Sequence, residues 1–167
     1  KYVPFVDIKL QLLMNFNHFK SDLTDILPEN ILFVALGNEL RGDDYAGMLF
    51  TTILRETEPF NKSEFIFAGT NPENFLDQFI NTKAELIVFI DAITSKGLVK
   101  NFDWLSSDLI DKVAISTHSF SIKLVDEFIK IHCNKQIKYF AIDIEPPVYA
   151  ESISKEINCR ILNFFNN

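Results

Sequence analysis

Cysteine is nearly absent. The chain has 167 residues and two thiols, Cys133 and Cys159, which stand far apart and form no CxxC pair. That excludes a disulfide framework and makes free thiols in the cytoplasm the expectation. Runs of Lys and Arg are missing too: the nearest basic cluster, residues 130–138, is broken by Ile131, His132, Cys133 and Asn134. With a formal net charge of −7, no phosphate-neutralising surface is visible, so no nucleic-acid partner is expected. No apolar stretch reaches about 18 residues, which excludes membrane insertion by a helix. Asp7, Lys9, Asn15, Asn17, His18 and Lys20 make the opening segment too polar for a signal-peptide core. There are no repeats, no low-complexity tract and no linker rich in Pro, Gly or Ser, and the length suits one domain.

Familiar catalytic signatures are also lacking. The glycines at 37, 42 and 47 do not make GxGxxG, and carboxylates stand where a dinucleotide's phosphates would sit, so an anionic ligand is disfavoured. No phosphate-binding GxxxxGK(S/T) and no HExxH occurs. Ser116 and Ser119 flank His118 without a GxSxG elbow, which argues against a serine hydrolase.

What the chain does have is apolar mass. Hydrophobic residues make up 47%, with 17 Phe, enough for a sizeable core without disulfides. Residues 7 to 27 carry Ile8, Leu12, Leu13, Phe16, Phe19, Leu23 and Ile26 at helical spacing, with Pro28 after the end. Short apolar runs then alternate with helical patterns. The runs are Ile31 to Leu36, Phe65 to Ala68, Leu86 to Ile90 and Tyr139 to Ile144, with weaker ones near Val113 to Ile115 and Leu98 to Phe102. The helices cover roughly Tyr45 to Thr57, Pro72 to Asn81, Ser119 to Ile131 and Ala150 to Phe165. Strands this apolar, separated by helices, require a mostly parallel sheet covered on both faces, a three-layer α/β sandwich. Residues 1–30 read as an N-terminal helical extension and 31–167 as a single α/β domain.

In such a sheet function collects at the carboxyl ends of the strands. Three segments place ligand-type side chains there. "ILFVALGNELRGDDYAG" holds Asp43 and Asp44, "LIVFIDAITSKG" holds Asp91, and "VAISTHSFSIKLV" holds His118. Adjacent strands lie about 4.8 Å apart, so two carboxylates and an imidazole at their ends can share one divalent ion. The ion would also relieve the repulsion that otherwise makes one carboxyl hold its proton. Structural alternatives stand beside this. One of Asp43 and Asp44 can cap the next helix, Asp91 can bond loop amides, and His118 can be a core or helix-start residue. Asn71 before Pro72 reads as a helix cap. Asp143 and Glu145 lie near the end of the last strand as supporting groups, His132 and Cys133 read as packing residues, and His18 as surface.

These segments, taken in order, resemble the hydrogenase maturation proteases, endopeptidases that trim the C-terminus of the large subunit of nickel–iron hydrogenases. "GNELRGDDYAG" fits that family's GNxLxxD(D/E)xxG. "AGTNPENF", "IDAITSKG", "STHSFSIKLV" and "IDIEPP" follow in the family's order, over residues 31 to about 147. The resemblance implies a phosphorylase/hydrolase-like sandwich with a five-stranded sheet. It implies Asp44, Asp91 and His118 as catalytic metal ligands, with Gly37, Asn38, Gly42 and Asp43 shaping the loop that meets the substrate. Nickel is then supplied by the substrate, and zinc or cadmium can substitute in the isolated protein. The implied partner is a nickel–iron hydrogenase large-subunit precursor, met by a monomer. Tyr45 stands where the family often has glycine, Ala68 where an acid is frequent, and the leading helix lies outside the family core. The rival expectations are a noncatalytic metal- or nucleotide-binding module on a Rossmann-like sandwich, and a metal-dependent aminopeptidase or nucleoside hydrolase of similar fold.

Overall fold

The computed structural model describes residues 14–110, 114–115 and 119–166. Its strands are β1 (Ile31–Leu36), β2 (Glu64–Gly69), β3 (Leu86–Thr94), β4 (Phe102–Leu105), β5 (Ala114–Ile115) and β6 (Gln136–Asp143). The helices are α1 (Phe16–Ser21), α2 (Ala46–Arg55), α3 (Leu76–Asn81), α4 (Ser107–Ile110), α5 (Ser119–His132) and α6 (Lys155–Phe165). Five strands lie in the order β2-β1-β3-β6-β4, and the two-residue β5 adds to β3. β2, β1, β3 and β6 run parallel, while β4 and β5 are antiparallel to their neighbours. This is the mostly parallel sandwich expected.

Side-chain alternation sorts the core into two layers. On one face Phe33, Val88, Ile90, Phe140 and Ile142 meet Phe50 and Leu54 of α2 and Ile157, Ile161 and Phe164 of α6. On the other, Leu32, Val34, Leu36, Ile87 and Phe89 meet Phe79 of α3 and Ile122, Val125 and Ile129 of α5. With both faces covered, β1 is buried at every position and shows no polar alternation.

The leading segment departs from the single long helix expected. Asn15, in extended conformation, accepts from the His18 N–H and starts α1 at Phe16, and the helix ends at Ser21. Residues 7–13 of that expectation lie outside the described residues. Phe16, Phe19 and Leu23 are buried in the α2/α6 layer, so the described part of this segment shares the domain's own core. His18 is half-buried, not a surface residue.

Other boundaries move for local reasons. β4 begins at Phe102, where the apolar run was expected to end, because residues 95–101 turn back through positive φ at Lys96, Gly97 and Asn101. α6 starts five residues later than the apolar pattern, at the Ser154 cap, whose hydroxyl accepts from the Ile157 N–H. Pro72–Phe75 is a 3-10 turn ahead of α3. Asn71 occupies its N-cap position but makes no cap bond. Its amide instead accepts from the Thr70 hydroxyl and donates to Glu73. His132 stacks on Phe128, and the Cys133 thiol donates to the Ile129 carbonyl, the packing roles expected of them.

Candidate functional site

β1 pairs with β2 on one side and β3 on the other, so the order of the parallel sheet reverses at β1. A crevice opens at its carboxyl end by topology alone. The chain leaves β1 through Gly37 and Asn38 and makes a 3-10 turn, Gly42–Tyr45, before α2 begins. This loop is packed tightly on the sheet. Gly37 has φ +138°, and a Cβ there would lie 2.2 Å from the Asp44 carbonyl oxygen. A Cβ on Gly47 would lie 2.4 Å from the Leu36 carbonyl oxygen, 2.7 Å from that of Ile90 and 3.2 Å from Asp91 Cα. The two glycines thus let the loop and the first turn of α2 rest on the ends of β1 and β3. The work of Gly37 and Gly42 is therefore visible inside the chain: Gly42, at φ +53°, sits against Ala150 and the Val148 carbonyl.

Asp44 and Asp91 both belong to this edge. Asp44 is 0% exposed and Asp91 6% exposed, and they are the buried ionisable side chains among the residues whose side chains are described. Asp91 is not at the end of its strand, as the sequence suggested. β3 outruns β1, whose pairing stops at Ala35 opposite Ile90, and continues beside β6 to Ile93 opposite Asp143. Asp91 is therefore the first β3 residue past the end of β1's pairing. Alternation puts it on the α3/α5 face, where it lines a small apolar cavity with Leu36, Phe89, Ile93 and Ile122. Removing a carboxylate from water costs several kcal/mol unless partners compensate, and two buried acids at one sheet edge make this edge the candidate site.

Capping accounts for neither acid of the pair. The cap positions of the 3-10 turn and of α2 are Arg41 and Tyr45, and neither caps through its side chain. Asp43 points elsewhere: its Oδ1 accepts from the Ser154 N–H at 2.6 Å. With the Gly42 N–H to Ala150 carbonyl bond of 3.1 Å and the Arg41–Ala150 bridge, it ties the loop to residues 148–154. Asp143 is likewise structural, its Oδ1 accepting from the Ser95 N–H at 2.9 Å to hold the loop after β3. Glu145 is exposed.

His118 lies outside the described residues, between β5 and α5 in the chain. Among the described residues no three His, Cys, Asp or Glu side chains gather closely enough to hold a metal ion. Asp44 and Asp91 offer only oxygen acceptors, so a three-donor set would draw its third from elsewhere. Beside Asp44 lies a groove lined by Gly37, Asn38, Glu39, Leu40, Tyr45, Met48, Gly69 and Thr70. Sequence reading missed Met48 and Thr70. Thr70 stood within the quoted "AGTNPENF" segment, but only the fold brings β2's end beside the β1 loop, through the Gly37 N–H to Gly69 carbonyl bond.

No family model matches the chain. A protein of Methanocaldococcus jannaschii, named provisionally as a hydrogenase maturation protease, is 27% identical over 127 residues, 72% of this chain and 74% of that one. Among solved structures, the nickel–iron hydrogenase maturation protease HycI of Thermococcus kodakarensis is similar with a TM-score of 0.67 and 25% identity, over 81% of this chain and 86% of that one. The hydrogenase maturating endopeptidase HybD of Escherichia coli has the same fold, with a TM-score of 0.66 and 20% identity over 82% and 88% of the two chains. In sequence and in fold the chain is similar to the hydrogenase maturation proteases, as its motifs suggested, and these relatives are enzymes.

Proposed function

We propose that this chain is a hydrogenase maturation endopeptidase, which removes the C-terminal extension of a nickel–iron hydrogenase large-subunit precursor after nickel insertion. One observation carries the reading. The two buried carboxylates of the described structure, Asp44 and Asp91, lie at the sheet's switch point, and the motif resemblance makes them two of the metal ligands in this reading. His118 supplies the nitrogen donor in this reading. Carboxylate and imidazole suit divalent nickel, and three protein ligands leave coordination positions open.

Nickel here arrives with the substrate, and its presence is what the site recognises. Asp44, Asp91 and His118 would hold the ion, which would supply Lewis-acid chemistry at the scissile bond. The chain's own residues do the positioning. Asp44 and Asp91 hold the metal end of the substrate at the edge of β3, and Asp43, anchored on Ser154, fixes the loop that carries Asp44. The groove from Gly37 to Thr70 receives the peptide beside the metal. Zinc or cadmium takes nickel's place in the isolated protein. We place the enzyme in the cytoplasm: both cysteines are free thiols, and among the described residues no helix is long and apolar enough to cross a membrane.

The test is incubation with the nickel-loaded precursor and mass measurement of both proteins. The expected result is release of a short C-terminal peptide. Asp44→Asn, Asp91→Asn and His118→Ala should each keep the fold and slow release by more than about 100-fold, the scale of losing one preorganised stabilising group. Normal trimming by these variants would remove the proposed roles. An intact precursor with the wild-type chain would favour a noncatalytic binding module instead.

A further inference from the structure

Exposed apolar side chains gather around this site. Leu40 (55% exposed), Leu98 (56%), Val148 (70%) and Tyr149 (82%) all sit on the loops that leave the carboxyl ends of β1, β3 and β6. Those strands are adjacent and parallel, so the three loops emerge on one edge of the molecule. Two of the loops are joined. The Gly42–Ala150 hydrogen bond and the Arg41–Ala150 bridge bring Leu40 and Tyr149, each next to a residue of that bridge, to the same strap. Leu40 also lines the groove beside Asp44, so the apolar patch is continuous with the site.

A single exposed apolar residue needs no explanation, but Leu40 in the groove wall, joined through the Arg41–Ala150 strap to Val148 and Tyr149, makes a set that marks an interaction surface. The groove is about 270 Å³, near the lower limit of small-molecule pockets at roughly 300 Å³. It admits a short stretch of chain and no folded body. A protein substrate whose tail enters it must rest its remaining mass on the bordering loops. An exposed Tyr such as Tyr149 is the kind of anchor that dominates such contacts, with Val148 adding apolar area beside it.

We infer that Leu40, Val148 and Tyr149, continued by Leu98, form the docking surface for the folded body of the protein substrate whose tail occupies the groove. The inference rests on the endopeptidase reading above. Its occupant is a protein surface with a complementary apolar patch next to the cleaved tail.

Steady-state processing of the nickel-loaded precursor tests this, with Val148→Ser and Tyr149→Ser on the patch. Ile131→Ser is the control, equally exposed at 78% on the far end of α5. The patch variants should raise KM about tenfold each, the effect of removing an interface anchor, with kcat within about twofold. Ile131→Ser should change neither, and all three should melt as the wild type does. If the wild type trims the precursor and the patch variants keep its KM, the docking surface is wrong while the enzyme reading stands. If the wild type trims nothing, both fall. Sedimentation covers the other occupant: a wild-type dimer that Tyr149→Ser dissociates, with KM unchanged, would assign the patch to a second copy and overturn the inference.

Discussion

Gly47 sits in the first turn of a helix, where glycine is ordinarily a weakness. Alanine there would gain about 1 kcal/mol of helix propensity. Yet the Cβ it adds would lie 2.4 Å and 2.7 Å from the Leu36 and Ile90 carbonyl oxygens, backbone atoms that cannot step aside. Overpacking of this kind costs about 1–3 kcal/mol, so Gly47→Ala is expected to lower stability in urea unfolding and to slow processing, because it pushes α2 off the edge that holds Asp91. Unchanged stability would show that the close approach is not needed. The motif spacing exposed the glycine in the sequence, but not its neighbours: Leu36 and Ile90 belong to strands whose ends meet only in the folded sheet.

At the scale of elements, β6 and α5 are joined by a polar contact inside an apolar layer. The Tyr139 hydroxyl donates to Asp126 at 3.0 Å, and its ring stacks on Phe89. Burial first, and then the charge and hydrogen bond of Asp126, push the phenol's pKa far above its ordinary value of 10.0. The fold thus favours the protonated phenol. Its stabilisation is fully present below pH 10 and is lost as pH rises beyond it, where the unfolded chain ionises more readily. Tyr139→Phe should cost about 1 kcal/mol at neutral pH, and that difference should narrow above about pH 10, measured by urea unfolding at both pH values. A constant difference would mean the phenol does not couple to ionisation. The element itself was legible as an apolar run, although β6 starts three residues earlier, at Gln136. Its first residues, Gln136–Lys138, set one apolar side chain, Ile137, between two polar ones, and take their place from pairing with Leu86–Val88.

For the whole molecule, the question is whether the leading segment belongs to the domain. Phe19 lies in ring contact with Phe33, Phe50, Phe60, Trp104, Phe140 and Phe164, so residues distant in the chain share one aromatic cluster. Phe19→Ala should cost about 3–5 kcal/mol and leave a single cooperative unfolding transition. Two transitions by calorimetry would instead make the segment a separable unit. Its helical pattern was readable, but the destination of its apolar stripe was not, since a stripe states that something must cover it and never what.

The sequence by itself determined the layered α/β class, because continuous apolar runs between helical patterns satisfy no other arrangement of backbone hydrogen bonds and burial. It also marked Asp44 and Asp91 as candidates by their position after such runs. Tertiary structure alone decided that β3 outruns β1, so that Asp91 lies mid-strand beside the switch point. It alone joined residues 148–154 to the acidic loop. Local pattern encodes which face of an element is buried, whereas relative strand length and loop-to-loop contact are set by pairing between segments far apart in the chain.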